Sequence, residues 1–235
     1  MSSVRLATYN IHGGVGCDGH FVPRRIADVL AELQADVIAL QEVESRRTGF
    51  DMLGFLAHAT GLHPIAGPTL LDAQGDYGNG LLTRHPPLAV RRLDLSWPRR
   101  EPRGAIDAEL RVDSAALRIV ATHLGLRPAE RRAQVRALLA AFEQDPVMPT
   151  VLMGDLNEWL LAGRPLRWLH RHFEKAPAPA SFPSRWPIFA LDRIWTKPRT
   201  LLQQVAIHAT PLARVASDHL PVVATLRLDA DAAPV

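Results

Sequence analysis

The stretch Thr150-Val-Leu-Met-Gly-Asp-Leu-Asn157 places a carboxylate and an amide directly after a short apolar run. The run predicts a buried β-strand, and a strand end is a position where a rigid sheet holds side chains at a fixed point. Asp155 and Asn157 are separated by one residue, so on an extended backbone they would face the same side. A carboxylate and an amide on one face can together hold a water molecule and phosphate oxygens.

Four further segments place polar side chains next to apolar runs in the same way. They are Thr8-Tyr-Asn-Ile-His12, Gln41-Glu-Val43, Leu191-Asp-Arg-Ile-Trp195 and Ser217-Asp-His-Leu-Pro221. Singly, each has an ordinary explanation, since Asn is a frequent turn former and Asp often caps a helix. For the whole series to be without function, all of these ordinary explanations would have to hold at once, which is improbable. The ordered series therefore predicts one site built from several strand ends.

Length and composition predict one domain with a sizeable core, because the chain has 235 residues of which 47% are apolar. We place this domain at residues 1–228 and expect the Ala- and Asp-rich segment 229–235 to be loose. No apolar run approaches the roughly 18 residues of a membrane span. The first residues lack a signal-peptide layout. A single cysteine, Cys17, excludes an internal disulfide and a thiolate metal cluster, so a cytoplasmic location is expected.

Arginine supplies nearly all of the positive charge, since Lys175 and Lys197 are the only lysines in a chain of net charge +3 and pI about 9.6. Arginine binds phosphate through paired hydrogen bonds, which suits an anionic substrate, nucleic acid included. A GC-rich genome explains the same bias equally well. No feature of the sequence identifies a protein partner.

Apolar periodicity divides the chain into many short strands and a few helices. Helices are predicted from Pro23, over 52–60, from Pro128 to about Glu143 and near 165–172. Strands are predicted at 4–10, 37–40, 150–153, 192–196, 201–208 and 220–228, with further short strands between 80 and 124. The helices are too few and too widely spaced for a doubly wound sheet. Two sheets packed face to face with helices outside fit the pattern better.

The residue types at the strand ends suit metal-assisted phosphoester hydrolysis, which requires charge neutralisation, an activated water and alignment. Glu42 is a hard carboxylate of the kind that Mg²⁺ prefers, and Asp218 offers a second one to the same cation. Asn10 supplies an amide that can position a carboxylate or a metal-bound water. Oxygen donors of this kind argue against a zinc hydrolase. We therefore predict Mg²⁺ as the cofactor, with Mn²⁺ able to replace it.

Two histidines and an arginine are candidates for contact with the phosphate. His219 can act as a base or as a cationic hydrogen-bond donor, depending on its protonation, which Asp192 would set by accepting the other ring N–H. His123 follows an apolar run and is a second candidate. Arg103 or Arg100 would supply a fork for a phosphoryl oxygen.

In this order, the blocks resemble the endonuclease/exonuclease/phosphatase superfamily, which includes pancreatic-type deoxyribonucleases, abasic-site endonucleases, neutral sphingomyelinases and inositol-polyphosphate 5-phosphatases. The matching blocks are Tyr9-Asn-Ile-His12, Gln41-Glu-Val43, Tyr77-Gly-Asn-Gly-Leu-Leu82, Thr122-His-Leu124, Gly154-Asp-Leu-Asn157, Leu191-Asp-Arg-Ile194 and Ser217-Asp-His-Leu-Pro221. The match runs from about Val4 to Leu228. The resemblance implies an α+β fold, a four-layer α/β/β/α sandwich of two mixed β-sheets packed face to face with outer helices.

The resemblance also implies roles for the residues of the site. Glu42 would be the principal metal ligand, assisted by Asn10 and Asp218, and Asp155 would orient or deprotonate the attacking water. By the same resemblance, Asn157 and His123 would contact the phosphate and Asp192 would pair with His219. Arg103, expected from its residue type, and Asn79 complete the predicted substrate contacts.

Two positions depart from the family pattern. His12 stands where abasic-site endonucleases carry an acidic residue, which argues against a second metal position. Asn79 stands in the segment where deoxyribonucleases carry a glutamate that supports the phosphate-binding histidine, which argues against a direct transfer of the nuclease mechanism.

The expected function is a Mg²⁺-dependent phosphodiesterase acting on nucleic acid, a lipid head group or a small phosphodiester. A phosphomonoesterase of the same superfamily and a catalytically silent binding module on this fold are the alternatives. The Pro-rich loop 176–187, with Phe182 and Trp186, is long enough to be functional. It would form either a substrate-facing wall or a hydrophobic lid on the sheet edge.

Overall fold

The computed structural model describes residues 2–47, 49–143 and 148–228, so the tail expected over residues 229–235 lies outside the described residues. The strands are β1 (Ser2–Asn10), β2 (Val37–Glu44), β3 (His63–Asp72), β4 (Gly75–Thr83), β5 (Pro87–Asp94), β6 (Gly104–Val112), β7 (Ala115–His123), β8 (Thr150–Asp155), β9 (Asp192–Lys197), β10 (Leu202–Ile207) and β11 (Val222–Leu228). The helices are α1 (Pro23–Leu33), α2 (Met52–Thr60), α3 (Pro128–Glu143), α4 (Arg164–Phe173) and α5 (Ala213–Ala216), and 3₁₀ turns occur at His12–Gly14 and Arg199–Leu201.

The described strands form two mixed sheets. One has the order β10-β11-β1-β2-β4-β3 and the other the order β5-β6-β7-β8-β9. β1 pairs with β2 in parallel, and β7 pairs with β8 in parallel, whereas the remaining neighbours are antiparallel.

Alternate residues of the central strands enter different cores, which creates the layers. In β1, Leu6 faces the core between the two sheets, while Ala7 faces the core under α1, α2 and α5. In β8, Val151 enters the same central core, and Leu152 packs toward α3 and α4. Both faces of these strands are buried, so they appear in the sequence as continuous apolar runs. The predicted four-layer sandwich is confirmed.

The start of α1 and both ends of α2 follow from local chemistry. Pro23 occupies the first turn of α1, where its missing N–H costs no hydrogen bond. Asp51 caps α2 by accepting from the Gly54 backbone N–H at 2.9 Å, and Gly61 ends that helix in the left-handed conformation at φ 68°. No helix in the described part of the chain is long and apolar enough to cross a membrane.

Strand β3 was not expected from the sequence, since no strand was predicted between residues 41 and 79. It contains Pro64 and Pro68, which cannot donate to a neighbouring strand. β3 is the edge strand of its sheet and pairs only with β4 among the described strands. An edge position tolerates proline because one side of the strand needs no partner.

Strand register brings the polar segments to one edge of the sandwich. Asn10 is aligned with Gln41 across the parallel pair β1–β2, and Asp155 is aligned with both His123 and Asp192 in the other sheet. Gly154 permits the pairing of β8 with β7 that aligns Asp155 with His123, because a Cβ atom at Gly154 would lie 1.8 Å from the Thr122 carbonyl oxygen. The site therefore forms where the ends of two facing sheets meet.

Candidate active site

Asn10 joins the two sheets at the centre of the site. Its Nδ2 donates to Glu42 Oε1 at 3.0 Å and to Asp155 Oδ2 at 3.1 Å, and its Oδ1 accepts from the His12 backbone N–H at 3.1 Å. The side chain is buried. Its geometry suits an amide that positions two carboxylates, one from each sheet.

Glu42 is aimed into the site by an irregularity in β2. The register between β2 and β4 shifts between Leu40 and Val43, and Glu42 lies in that bulge with φ 57°. A bulge turns a side chain out of the regular alternation and is common beside functional sites. A left-handed conformation is costly for a residue other than glycine and asparagine, so the surrounding structure must hold it.

Asp155 and Asn157 are brought together by a turn and not by an extended strand. β8 ends at Asp155, and Asn157 has φ 50°, so the expectation that both lie on one face of an extended backbone is wrong. The Asn157 backbone N–H donates to Asp155 Oδ1 at 2.8 Å and closes the turn. The two side chains still converge on the same site.

His219 is held by a chain of buried hydrogen bonds. Its Nδ1 lies 2.8 Å from Asp192 Oδ2, which also accepts from the Ser181 hydroxyl at 2.5 Å. Its Nε2 lies 3.8 Å from Asp155 Oδ2. Burial alone would lower the pKa of His219, but the carboxylates of Asp192, Asp155 and Asp218 outweigh it and raise that pKa to about 10. The imidazole is therefore protonated near neutral pH.

The carboxyl group of Asp155 has a higher pKa than an exposed aspartate. Burial, with the charge of Asp192 next to it, raises the pKa of Asp155 to about 6. The positive charge of His219 and hydrogen bonds from Asn157 and Asn10 oppose this rise. A carboxylate whose pKa approaches neutrality is a stronger base than an ordinary aspartate.

Arg103 fixes the tautomer of His123. The Arg103 Nη1 lies 2.9 Å from His123 Nδ1, and a guanidinium can only donate, so Nδ1 accepts and the ring proton is on Nε2. Burial, followed by the positive charges of Arg103 and His219, lowers the pKa of His123 well below its usual 6.5. His123 is thus a neutral donor through Nε2–H.

The His123 donor lies beside a second donor. Asn157 Nδ2 is 3.0 Å from His123 Nε2 and already donates one hydrogen to the Leu124 carbonyl at 2.9 Å. Two N–H groups do not satisfy each other, so both suit an anionic oxygen that lies beside the pair and accepts from each. Asp155 Oδ2, at 3.5 Å from His123 Nε2, is the nearby acceptor that the structure contains.

Of the other expected residues, Asp218 and Arg103 lie at the site, Asn79 lies beside it, and Arg100 does not reach it. Asp218 is half-buried, with its Oδ1 3.9 Å from His12 Nδ1. Asn79 is buried and donates to the Gly104 carbonyl at 2.9 Å, which places it behind Arg103. Arg100 is exposed, whereas Arg103 reaches His123.

Sequence reasoning missed two residues of the site. Ser181 hydrogen-bonds Asp192 from within the Pro-rich loop, and Tyr77 hydrogen-bonds Arg103 and feels the charge of Glu42. The Ser181 hydroxyl carries no local signal, because its partner is brought to it only by the tertiary fold. Tyr77 begins one of the family-like blocks, so that block was the available signal.

Two groups of side chains at the site carry donor atoms of the kinds that bind cations. Asp155, Asp192 and His219 offer ligand atoms within 4.8 Å of one another, but the neighbouring carboxylates raise the pKa of His219 and so favour its imidazolium form, which is not a ligand. Glu42 and Asp218 are half-buried hard carboxylates, and the amide of Asn10 holds Glu42 in place. This donor set fits Mg²⁺ or Mn²⁺.

Comparisons with known proteins agree over almost the whole chain. A model of the Endonuclease/Exonuclease/phosphatase family matches residues 7–219. The uncharacterized protein YbhP of Escherichia coli is 30% identical over 249 aligned residues, which cover 96% of this chain and 97% of YbhP.

Solved structures share the fold. An endonuclease/exonuclease/phosphatase from Beutenbergia cavernae superposes with a TM-score of 0.79 at 23% identity, covering 97% of this chain and 72% of that one. A mannosyl-6-phosphatase from Bacteroides thetaiotaomicron superposes with a TM-score of 0.78 at 16% identity, covering 96% and 100% of the two chains.

Proposed function

The chain belongs to the endonuclease/exonuclease/phosphatase family, and from that premise we propose that it is a divalent-cation-dependent phosphodiesterase. Members of the family are generally phosphoester hydrolases and generally depend on a divalent metal. The observation that carries the proposal is the pair of N–H donors on His123 and Asn157, which lie 3.0 Å apart beside the carboxylate of Asp155. Such a pair is suited to a phosphoryl oxygen next to a base.

Each residue of the site has a role in the proposed hydrolysis. Asp155 orients the attacking water and accepts its proton as the new P–O bond forms and the bond to the leaving oxygen breaks. His123 and Asn157 donate to a phosphoryl oxygen. His219, whose protonated form is stabilised by Asp192, donates from Nε2 to the same phosphate and stabilises the charge that develops there.

Glu42 and Asp218 would hold the cation, with Asn10 positioning Glu42 rather than acting as a principal ligand. The chemistry that a bound Mg²⁺ or Mn²⁺ supplies is neutralisation of phosphoryl charge and stabilisation of the leaving oxygen. Asn79 donates to the Gly104 carbonyl, so in this proposal it supports the backbone next to Arg103 and does not itself touch the substrate.

The charge of the site favours a diester over a monoester. His219 provides one positive charge and His123 is neutral, while the guanidinium of Arg103 is engaged with His123 and with Glu101 at 3.0 Å. A phosphodiester carries one negative charge and a phosphomonoester carries nearly two at neutral pH. The second negative charge of a monoester would have to be met by the bound cation, whose charge Glu42 and Asp218 would already neutralise, so the site suits a diester better.

The test is Mg²⁺-dependent hydrolysis of bis(p-nitrophenyl) phosphate, p-nitrophenyl phosphate and supercoiled plasmid. His219→Ala should lose the diester activity, and His63→Ala, which changes an exposed histidine on β3, should retain it. Turnover of the monoester alone would instead identify a phosphomonoesterase. Absence of turnover with Mg²⁺ and with Mn²⁺ would refute the proposal in favour of a silent binding module.

A further inference from the structure

Two loops next to His219 carry an unusual share of exposed apolar side chains. The loops are residues 156–163, between β8 and α4, and residues 176–191, which lead into β9. Of the ten large hydrophobic side chains exposed in the described residues, five belong to these loops. They are Trp159, Leu160, Leu161, Trp186 and Ile188, with exposures up to 81% at Trp186. We call this set the apolar rim.

The loops are ordered and touch each other. The ring of Trp159 packs edge-on against Phe182 and Phe189, with centroids 5.6 and 4.8 Å apart. The backbone N–H of Ile188 donates to the Phe182 carbonyl at 2.9 Å. The rim side chains therefore protrude from two loops that pack against each other, which we call the platform. Their exposure to water is unfavourable, and exposed apolar patches of this kind mark interaction sites.

The platform is continuous with the catalytic site. The ring of Phe182 lies 4.8 Å from the ring of His219, and the Ser181 hydroxyl in the same loop binds Asp192. A surface that seats the apolar rim would thus lie directly beside the proposed phosphate position.

The exposed charges in and beside these loops are mostly positive, and the adjoining Glu174 and Lys175, both exposed, carry opposite charges. Between residues 176 and 191 the only charged residue is Arg185, which is exposed. Between residues 156 and 164 the charged residues are Arg164, which is exposed, and Glu158, which is buried and bound to Arg131 at 3.2 Å. Protruding apolar side chains flanked by arginines match the boundary between head groups and acyl chains of an anionic bilayer.

We propose that the apolar rim docks on an anionic lipid surface, so that the site hydrolyses a phosphodiester carried by a lipid. This inference rests on the phosphodiesterase function proposed above and names its substrate class. Leu160, Leu161 and Ile188 are aliphatic, which favours a lipid over single-stranded nucleic acid, because bases stack on aromatic rings.

The first test is co-sedimentation of the full chain with vesicles of phosphatidylglycerol and with vesicles of phosphatidylcholine. The wild-type chain should partition onto phosphatidylglycerol, and Leu161→Ser/Trp186→Ser should weaken partitioning by about tenfold or more, because each change removes a large apolar side chain from the contact. The matched control Leu71→Ser/Leu88→Ser removes two exposed leucines from the distant strands β3 and β5 and should bind as the wild type does. Failure of the wild type to partition, or equal losses in both double variants, overturns the proposal.

The second test compares hydrolysis of phosphatidylglycerol in vesicles with hydrolysis of soluble bis(p-nitrophenyl) phosphate. The rim double variant should lose vesicle turnover and keep soluble turnover, whereas His219→Ala should lose both. Vesicle binding without turnover of either substrate would refute the phosphodiesterase function and leave the docking surface intact.

Two other outcomes would assign the rim to a different occupant and overturn the proposal. The first is binding of a single-stranded oligonucleotide that Trp186→Ser abolishes while vesicle binding is absent. The second is a dimer, detected by analytical ultracentrifugation, that the rim double variant converts to a monomer.

Discussion

The amide nitrogen of Asn10 lies 3.1 Å from the Asp155 carboxylate, although the two residues are 145 positions apart in the chain. Asn10 ends β1 in one sheet and Asp155 ends β8 in the other. The same amide also binds Glu42, so one buried side chain links the carboxylate assigned to the cation with the carboxylate assigned to the water. The relative placement of the two functions depends on this contact.

Removal of the Asn10 amide should therefore lower both the turnover and the stability of the protein. We expect Asn10→Ala to lower turnover of a soluble diester by roughly a hundredfold, since small displacements of reacting groups have effects of that size. The loss of buried hydrogen bonds should cost about 1–3 kcal/mol in the free energy of unfolding. Steady-state kinetics and urea unfolding measure the two. The control is Thr8→Val, which alters a buried neighbour on β1; a similar fall in turnover there would show a general effect of repacking.

The protonation of His219 can be followed directly in the metal-free protein. We expect ¹⁵N resonances of its imidazole to report a pKa of about 10. Asp192→Asn should lower that pKa, because burial is then opposed by fewer negative charges, while Asp94→Asn, at an exposed carboxyl group, should not change it.

The same shift predicts a dependence of stability on pH. The pKa of His219 is raised on folding from 6.5 to about 10, so the folded state binds more protons than the unfolded state between these values. The stabilising contribution is complete below pH 6.5 and is lost as the pH rises through about 10. Urea unfolding across this window should show a smaller decline in Asp192→Asn than in the wild type. An equal decline in both proteins would contradict the assignment.

Arg103 should control which nitrogen of His123 carries the proton. In Arg103→Met we expect both tautomers to be populated, with ¹⁵N shifts that differ from the single Nε2–H form of the wild type. Diester turnover should fall by up to roughly a hundredfold, the effect of removing one donor to a developing negative charge. Arg103→Lys should retain part of the activity because it can still donate to Nδ1. Arg100→Met alters an exposed neighbour and should change neither the tautomer nor the turnover.

Glu42 should be required for binding of the cation. Titration with Mn²⁺, followed by electron paramagnetic resonance, should show at least about tenfold weaker binding in Glu42→Gln, because second-sphere and ligand changes have effects of this order or larger. Glu109→Gln on β6 removes a carboxylate outside the site and should bind as the wild type does. Undiminished binding in Glu42→Gln would move the cation to another group of residues.

Gly154 should tolerate no side chain. A Cβ atom would lie 1.8 Å from the Thr122 carbonyl oxygen, and the residue has φ 147°. We expect Gly154→Ala to reduce the free energy of unfolding by roughly 3 kcal/mol or more, from overpacking together with backbone strain. Gly19→Ala provides the matched control, since Gly19 also has a positive φ of 77° but nothing within 4 Å of its Cβ position. A urea midpoint for Gly154→Ala equal to that of Gly19→Ala would show that β7 and β8 can separate locally.

The sequence predicted most of the helices and strands because buried positions recur with a regular spacing of apolar residues along the chain. The two-sided apolar runs of β1, β2 and β8 identified strands that are covered on both faces, and Gly61 marked the end of α2. β3 was missed because its prolines oppose a strand in isolation. Only its position at the sheet edge, which is a property of the whole fold, makes them acceptable.

By itself, the sequence determined the layered fold, the family and the chemical types of the residues at the strand ends. Tertiary structure alone decided that Glu42 is turned by a bulge, that Asn157 reaches Asp155 through a left-handed turn, and that Arg103 rather than Arg100 meets His123. The reason is physical. Hydrophobic periodicity is local and can be read along the chain, whereas hydrogen-bond geometry and pKa values arise from groups that are distant in sequence and meet only when the two sheets pack.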